Sequence, residues 1–167
     1  MLRPLLFVLA LAAPVLADGP HAVTPEDYFS LATATELAVS PDGKHVAYCE
    51  ARWGKPDEGR KTDLWIVTTD GKGKPRRLTG DRANDRHPKW ADDGKTIYVL
   101  ANRKREADKK PPYDGSTQVW AVPVDGGEPK AITSVDGGIV AYDFAPNSND
   151  IFYSVDATAT DDDAFSK

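Results

Sequence analysis

An all-β fold built from repeated four-stranded antiparallel units is predicted by three observations. The first is self-similarity with a period of about 54 residues. Val39-Ser40-Pro41-Asp42-Gly43-Lys44-His45-Val46-Ala47-Tyr48 returns as Trp90-Ala91-Asp92-Asp93-Gly94-Lys95-Thr96-Ile97-Tyr98-Val99. It returns in degraded form as Phe144-Ala145-Pro146-Asn147-Ser148-Asn149-Asp150-Ile151-Phe152-Tyr153. The second is a further repeat interleaved with the first: Asp63-Leu64-Trp65-Ile66-Val67 through Thr79 matches Gln118-Val119-Trp120-Ala121-Val122 through Thr133. The third is turn chemistry between the apolar runs, where Pro41 presets φ and Gly43 supplies the left-handed conformation of a tight hairpin. A fixed period of this length marks stacked or radially arranged units, and four short strands per period mark the blades of a β-propeller.

Residues 1–17 read as a secretory leader. Arg3 supplies the positive end, Leu5–Leu11 the apolar centre and Val15-Leu16-Ala17 the cleavage site. The apolar stretch is shorter than the roughly 20 residues a membrane span needs. No membrane span is expected after its removal, and the protein is expected to be exported to the periplasm or outside the cell.

Residues 18–34 form an N-terminal segment with one short helix. Thr24 can cap it, Pro25 suits its first position and Asp27 stands where a capping-box acid belongs. Residues 35–167 then form an incomplete propeller, with blades at about 35–79, 86–133 and 138–167, the last partial. Strands are expected near 35–40, 45–50, 62–69 and 75–79, then near 86–91, 95–101, 117–124 and 129–133, and finally near 138–145 and 150–155. Val46, Tyr48, Ile97 and Val99 should fill the space between blades. Trp65 and Trp120, 55 residues apart, should be core at one repeated position, as should Trp90 and Phe144. A propeller closes with about four to eight blades, so two and a half blades imply the N-terminal part of a longer protein.

Composition limits the functions available. Charged residues make up 28% and the net charge is −5, which disfavours nucleic acid as a general partner. The basic runs Lys72–Arg77 and Arg103–Lys110 read as solvated loops. Cys49 is the single cysteine, so no internal disulfide forms, and its alternating apolar context reads as a small buried side chain.

No residue is assigned a catalytic, cofactor-binding or metal-ligating role, and no cofactor is implied. A Gly-x-Ser-x-Gly nucleophile elbow is absent, and the histidines are His21, His45 and His87. Gly94-Lys95-Thr96 resembles the end of a phosphate loop, but Lys89 stands where its first glycine would fall, and the repeat makes it a hairpin turn. Asp161-Asp162-Asp163 lacks the alternating ligands and glycine turn of a calcium loop and reads as solvated.

Thr24-Pro25-Glu26-Asp27, the Ser40–Lys44 hairpin, Asp63-Leu64-Trp65, Arg76-Arg77-Leu78-Thr79, His87-Pro88-Lys89-Trp90 and Asp125-Gly126-Gly127-Glu128-Pro129 resemble the exported prolyl oligopeptidase family, in its dipeptidyl aminopeptidase and acylaminoacyl-peptidase branch. The resemblance covers roughly residues 22–167. The hairpin motif by itself is shared with TolB-type propellers. What the resemblance implies is a serine peptidase acting on short peptides. In such enzymes the propeller gates access to a C-terminal α/β-hydrolase domain that carries a Ser-Asp-His triad. The present segment would then be inactive alone, with the hydrolase domain as its partner in cis and peptide as the substrate of the whole. The alternatives are a TolB-like periplasmic propeller that binds proteins and, third, a sugar-binding or lyase-type propeller.

Three unrepeated loops join the second and third strands, at about Ala51–Lys61, Asn102–Ser116 and from Asp156 onward. The first two are basic on balance and the third is acidic. Loops on one face of a rigid scaffold tend to carry function, so this face is expected to meet the hydrolase domain or to admit peptide.

Overall fold

The computed structural model describes residues 22–54, 59–80, 83–146, 148 and 150–156. The leader and the acidic run Asp161–Asp163 lie outside the described residues. Helix α1 (Pro25–Ser30) precedes strands β1 (Ala32–Val39), β2 (His45–Trp53), β3 (Arg60–Thr68) and β4 (Arg76–Arg77). A second set follows: β5 (Arg86–Trp90), β6 (Thr96–Ala101), β7 (Gln118–Pro123) and β8 (Lys130–Ala131). The last pair is β9 (Ala141–Phe144) and β10 (Ile151–Ser154). They form two four-stranded sheets in chain order and one two-stranded sheet, every neighbouring pair antiparallel.

At the start of α1 the Asp27 carboxylate accepts from the Thr24 backbone N–H at 2.7 Å and from its hydroxyl at 3.1 Å. These bonds hold the first turn as a capping box does. The two hairpin turns share their backbone bond and their aspartate cap. Gly43 N–H donates to Ser40 O at 2.9 Å, and Gly94 N–H to Ala91 O at 3.0 Å. Both glycines have positive φ, 70° and 63°. The Asp42 and Asp93 side chains accept from Lys44 and Lys95 N–H. Lys95 thus belongs to a turn, as the repeat requires.

Each interior strand sends alternate residues to opposite faces. Ala47, Cys49 and Leu64 of the first sheet meet Ile97, Val99, Ala101, Trp120 and Val122 of the second in one buried cluster. The other face of the second sheet presents Leu100 and Val119 to Ile139 and Tyr142, with Tyr98, Phe144 and Ile151 alongside. Burial on both faces explains why β6 and β7 read as nearly continuous apolar runs. Cys49 is fully buried, and desolvation pushes its thiol well above the ordinary range.

The pseudo-repeat does not make equivalent residues equally buried. Trp120 is fully buried, with its indole N–H donating to Ala101 O at 3.0 Å. Trp65, at the same repeat position, is half-buried and stacks on Tyr48 at 6.5 Å between centroids. Val46 and Tyr48 are likewise half-buried where Ile97 and Val99 are fully enclosed. The reason is positional. Val46, Tyr48 and Trp65 lie on the face of the first sheet turned away from the second, and no further sheet covers that face among the described residues.

The first strands of the three sheets converge. Trp90 on β5 donates its indole N–H to Ala38 O on β1 at 2.9 Å. Tyr142 on β9 donates its hydroxyl to His87 O on β5 at 2.8 Å. Lys89 on β5 pairs with Asp143 on β9 at 2.7 Å. Strands β1 and β5 each carry an irregularity in register, between Ala34 and Leu37 and between Arg86 and Lys89. Glu36 and His87, 51 residues apart, occupy these bulges. The Glu36 carboxylate accepts from the His87 backbone N–H and faces its Nε2 at 3.3 Å. His87 holds a φ of 53°, rare for a residue with a Cβ.

Candidate functional site

The loops after the second strands and the connections between sheets share one end of the molecule. Asp85 N–H donates to Thr62 O at 2.9 Å, and Ile139 N–H donates to Thr117 O at 2.8 Å. At the opposite end, Thr69 N–H reaches Lys44 O and Val124 N–H reaches Lys95 O, both at 2.9 Å.

Most of the described residues of the expected loop at Ala51–Lys61 are strand. Register continues through Ala51↔Thr62, Arg52↔Lys61 and Trp53↔Arg60. Gly54 N–H closes on Gly59 O at 3.0 Å. Arg52 lies beside Glu50 at 2.5 Å, which offsets its like-charged cross-strand neighbour Lys61. Trp53 also gains rings to rest on, Phe29 at 5.5 Å and Tyr28 at 6.2 Å. Lys55, Asp57 and Glu58 lie outside the described residues.

The Asn102–Ser116 loop does not stand out from this end. It closes as a small hairpin, with Arg105 N–H on Tyr113 O at 2.8 Å and Gly115 N–H on Arg103 O at 3.2 Å. The hairpin then folds back along β7 towards β8. Its Tyr113 ring meets Trp120 edge-on at 5.2 Å. Its Arg105 reaches Glu128, in the β7–β8 turn beyond the opposite end of β7, at 3.1 Å. Trp120 thus has a second cover besides the first sheet.

Arg103 corrects the reading of residues 103–110 as a solvated run. It is 5% exposed, pairs with fully buried Asp85 at 2.7 Å and lies 5.1 Å over the Trp120 ring. The other Asp85 oxygen accepts from the Thr79 hydroxyl, which in turn accepts from Leu64 N–H at 2.8 Å. A buried polar chain therefore ties the first sheet to the second. At the equivalent position in the second sheet, Thr133 donates to Gln118 Oε1 at 2.9 Å and accepts from Val119 N–H at 2.9 Å. Asp85 and Arg103 were hidden because their pairing spans the sheet connection and neither belongs to the repeated motif.

Between the folded-back hairpin and the β7–β8 turn lies a cavity of about 750 Å³. Trp120 and Ala83 form its floor, Tyr113 and Pro129 its apolar sides, and Lys104, Arg105, Glu106, Asp114 and Glu128 its charged margin. Arg105 rests over the Tyr113 ring, its guanidinium carbon 3.6 Å from the centroid. Asp114 is spent on the loop itself. It accepts from the Ser116 hydroxyl at 2.6 Å and backbone N–H at 2.8 Å, and the hydroxyl bond above all holds its carboxyl below the ordinary range.

The arrangement can bind and orient a charged group, and the hydroxyl–carboxylate pairs beside it, Ser116–Asp114 and Thr79–Asp85, tie loop and sheet together. His45 sits by Trp90 in the turn region, its ring 6.4 Å from the indole, and His87 faces Glu36. Among the described residues no group of His, Cys, Asp and Glu is placed to hold a metal ion. No described helix is long and apolar enough to cross a membrane.

No protein-family model matches the chain. It is 28% identical over 164 residues to dipeptidyl-peptidase 5 of Porphyromonas endodontalis, a match covering 91% of this chain and 22% of that protein. It is 30% identical over 138 residues to dipeptidyl-peptidase 5 of Porphyromonas gingivalis, covering 83% of this chain and 18% of that one. The chain thus spans about a fifth of the length of these relatives. A shorter stretch of 51 residues, 30% of the chain and 10% of the relative, is 43% identical to the Tol-Pal system protein TolB of Anaeromyxobacter dehalogenans. In architecture, 72% of the chain superposes on 21% of the apo AtxE2 isopeptidase, with a TM-score of 0.56 at 20% identity. A variant of that isopeptidase with astexin3-dC4 bound gives 0.54 over the same shares.

Proposed function

From the chain's kinship with the dipeptidyl-peptidase 5 group, we propose that it is the non-catalytic propeller part of an exported serine peptidase. In this reading it admits short peptides to an α/β-hydrolase domain elsewhere in the full-length protein. The observation that carries the reading is the match to dipeptidyl-peptidase 5 along 91% of the chain but 22% of the relative. Such coverage suits one accessory portion of a larger enzyme. The fold supports the propeller. The two four-stranded sheets and the two-stranded one stack in succession, and their first strands meet through Ala38–Trp90, Glu36–His87 and His87–Tyr142 contacts. First strands meeting at the inside is what radial blades require. The passage then runs past β1, β5 and β9, where Glu36, His87, Lys89 and Asp143 stand. The fold-back of Asn102–Ser116 moves the gating role from that loop to these inner strands.

The TolB stretch favours a second reading, a propeller that binds protein partners without catalysis. Kinetics on the full-length protein separate the two. A bulky inner-strand substitution, Lys89→Trp, should lower kcat/KM for a tetrapeptide roughly tenfold, a barrier increase of about 1.4 kcal/mol, and leave hydrolysis of a small ester unchanged. Equal effects on both substrates, or none on either, would overturn gating. Absence of any peptide hydrolysis would favour the binding module.

A further inference from the structure

We propose that the cavity between the folded-back hairpin and the β7–β8 turn is a binding site for a peptide carboxylate, with Arg105 as its anchor. Four observations meet there. First, the guanidinium carbon of Arg105 lies 3.6 Å over the centroid of the Tyr113 ring, so the group is placed before any ligand arrives. Preorganised arginine is the group best suited to carboxylate, which it grips through two parallel N–H donors. Second, one such donor already holds a carboxylate: Nη2 bonds Glu128 Oε1 at 3.1 Å. Glu128 is 79% exposed on a turn and Arg105 52% exposed, so the bond is of the weak surface kind and can exchange. Glu128 marks where an incoming carboxylate would sit. Third, Lys104 stands at the same margin with no ion-pair partner among the described residues, so a second cation is at hand. Fourth, Tyr113 and Pro129 supply an apolar wall beside these charges, backed by the buried Trp120. About 750 Å³ is within the range of small-ligand sites and holds one or two residues of peptide.

The margin also selects against phosphate. Arg103 is taken by Asp85, so Glu106, Asp114 and Glu128 outnumber Lys104 and Arg105. A phosphate dianion would face three carboxylates, whereas a planar monoanion replaces Glu128 one for one. The peptide nature of the ligand rests on the peptidase reading above; the carboxylate preference rests on the cavity itself.

Isothermal titration of the full-length protein tests the site, with N-acetyl-alanyl-alanine, its amide, and N-acetyl-aspartyl-alaninamide, each checked intact by mass spectrometry. At least one of the two carboxylate ligands should bind roughly tenfold more tightly than the neutral amide, a step of about 1.4 kcal/mol. Which one does so tells a terminal from a side-chain carboxylate. Arg105→Gln should abolish the preference, and Tyr113→Leu should reduce it with the charge retained. Glu128→Gln should strengthen binding by removing the internal competitor. Unchanged near-UV circular dichroism in each variant keeps folding out of the comparison. No preference for carboxylate, a preference that survives Arg105→Gln, or equally tight binding of inorganic phosphate would overturn the proposal. Because the readout is binding, a full-length protein without peptidase activity would sink the functional reading and leave this one standing or falling by itself.

Discussion

The two repeat-equivalent tryptophans should respond very differently to truncation. Trp120 is fully buried between two sheets, with Arg103 over its ring, Tyr113 at its edge and its N–H on Ala101 O. Replacing a fully buried aromatic by alanine costs about 3–5 kcal/mol, through lost transfer energy plus the cavity left behind. Trp120→Phe keeps most of the packing but strips the donor from a buried carbonyl, worth about 1–3 kcal/mol. Trp65 is half-buried on Tyr48, so Trp65→Ala should cost about half the Trp120→Ala value, roughly 1.5–2.5 kcal/mol in the full-length protein. Native-state hydrogen exchange across 96–131 and 45–68, as a function of guanidinium, reads the two sites separately. Trp120→Ala should lower protection in both segments, because its side chain belongs to both sheets. Equal costs at the two positions, or a Trp120→Ala effect confined to β7, would refute the sheet-on-sheet packing argued here.

Gly138 has a φ of 87°, and a Cβ there would meet the Thr117 backbone N at 3.0 Å and O at 3.1 Å. Gly138→Ala should therefore destabilise the junction of the second and third sheets by about 1–3 kcal/mol, seen as faster exchange in β9 and β10. Cys49 is enclosed and its thiol is pushed up by desolvation, so a thiol reagent at pH 8 followed by peptide mapping should leave Cys49 unlabelled in the native protein and labelled in denaturant. Reaction in the native state would show the first two sheets to be parted. Asp143 is held below its ordinary value of 3.8, chiefly by the hydrogen bond from Lys89. A depressed carboxyl contributes stability above 3.8 and loses it as pH falls through and below that value. With Asp143 71% exposed the bridge is worth about 0.2–1 kcal/mol, so the protection factors of β9 amides, taken relative to the intrinsic rate at each pH, should fall slightly below pH 4, and Asp143→Asn should remove the effect.

Much of this architecture was written in the sequence because its signals are local. Pro41, Gly43 and Gly94 act through their own dihedrals, and the hairpins sit where those residues stand. Strand period and β-branched runs located the interior strands of both sheets. What escaped depends on neighbours far along the chain. The extension of β2 to Trp53 is supported by Phe29 and Tyr28 from the helix. The burial of Arg103 is set by Asp85, on the far side of β5 and β6. The difference between Trp65 and Trp120 comes from which face of which sheet finds another sheet against it. The cavity was the least legible feature, since the fold-back of Arg103–Asp114 is fixed by Tyr113 packing on Trp120 and by Arg105 reaching Glu128. The bulges at Glu36 and His87 left a trace, their spacing of 51, but a charged residue facing a histidine in successive strands is recognisable only once both are placed.

Turnover of a dipeptidyl chromogenic substrate, compared between the full-length protein and the 167-residue chain, tests the central claim most directly. The account predicts hydrolysis by the full-length protein and none by the chain alone. Hydrolysis by the isolated chain, or none by the full-length protein, would contradict it.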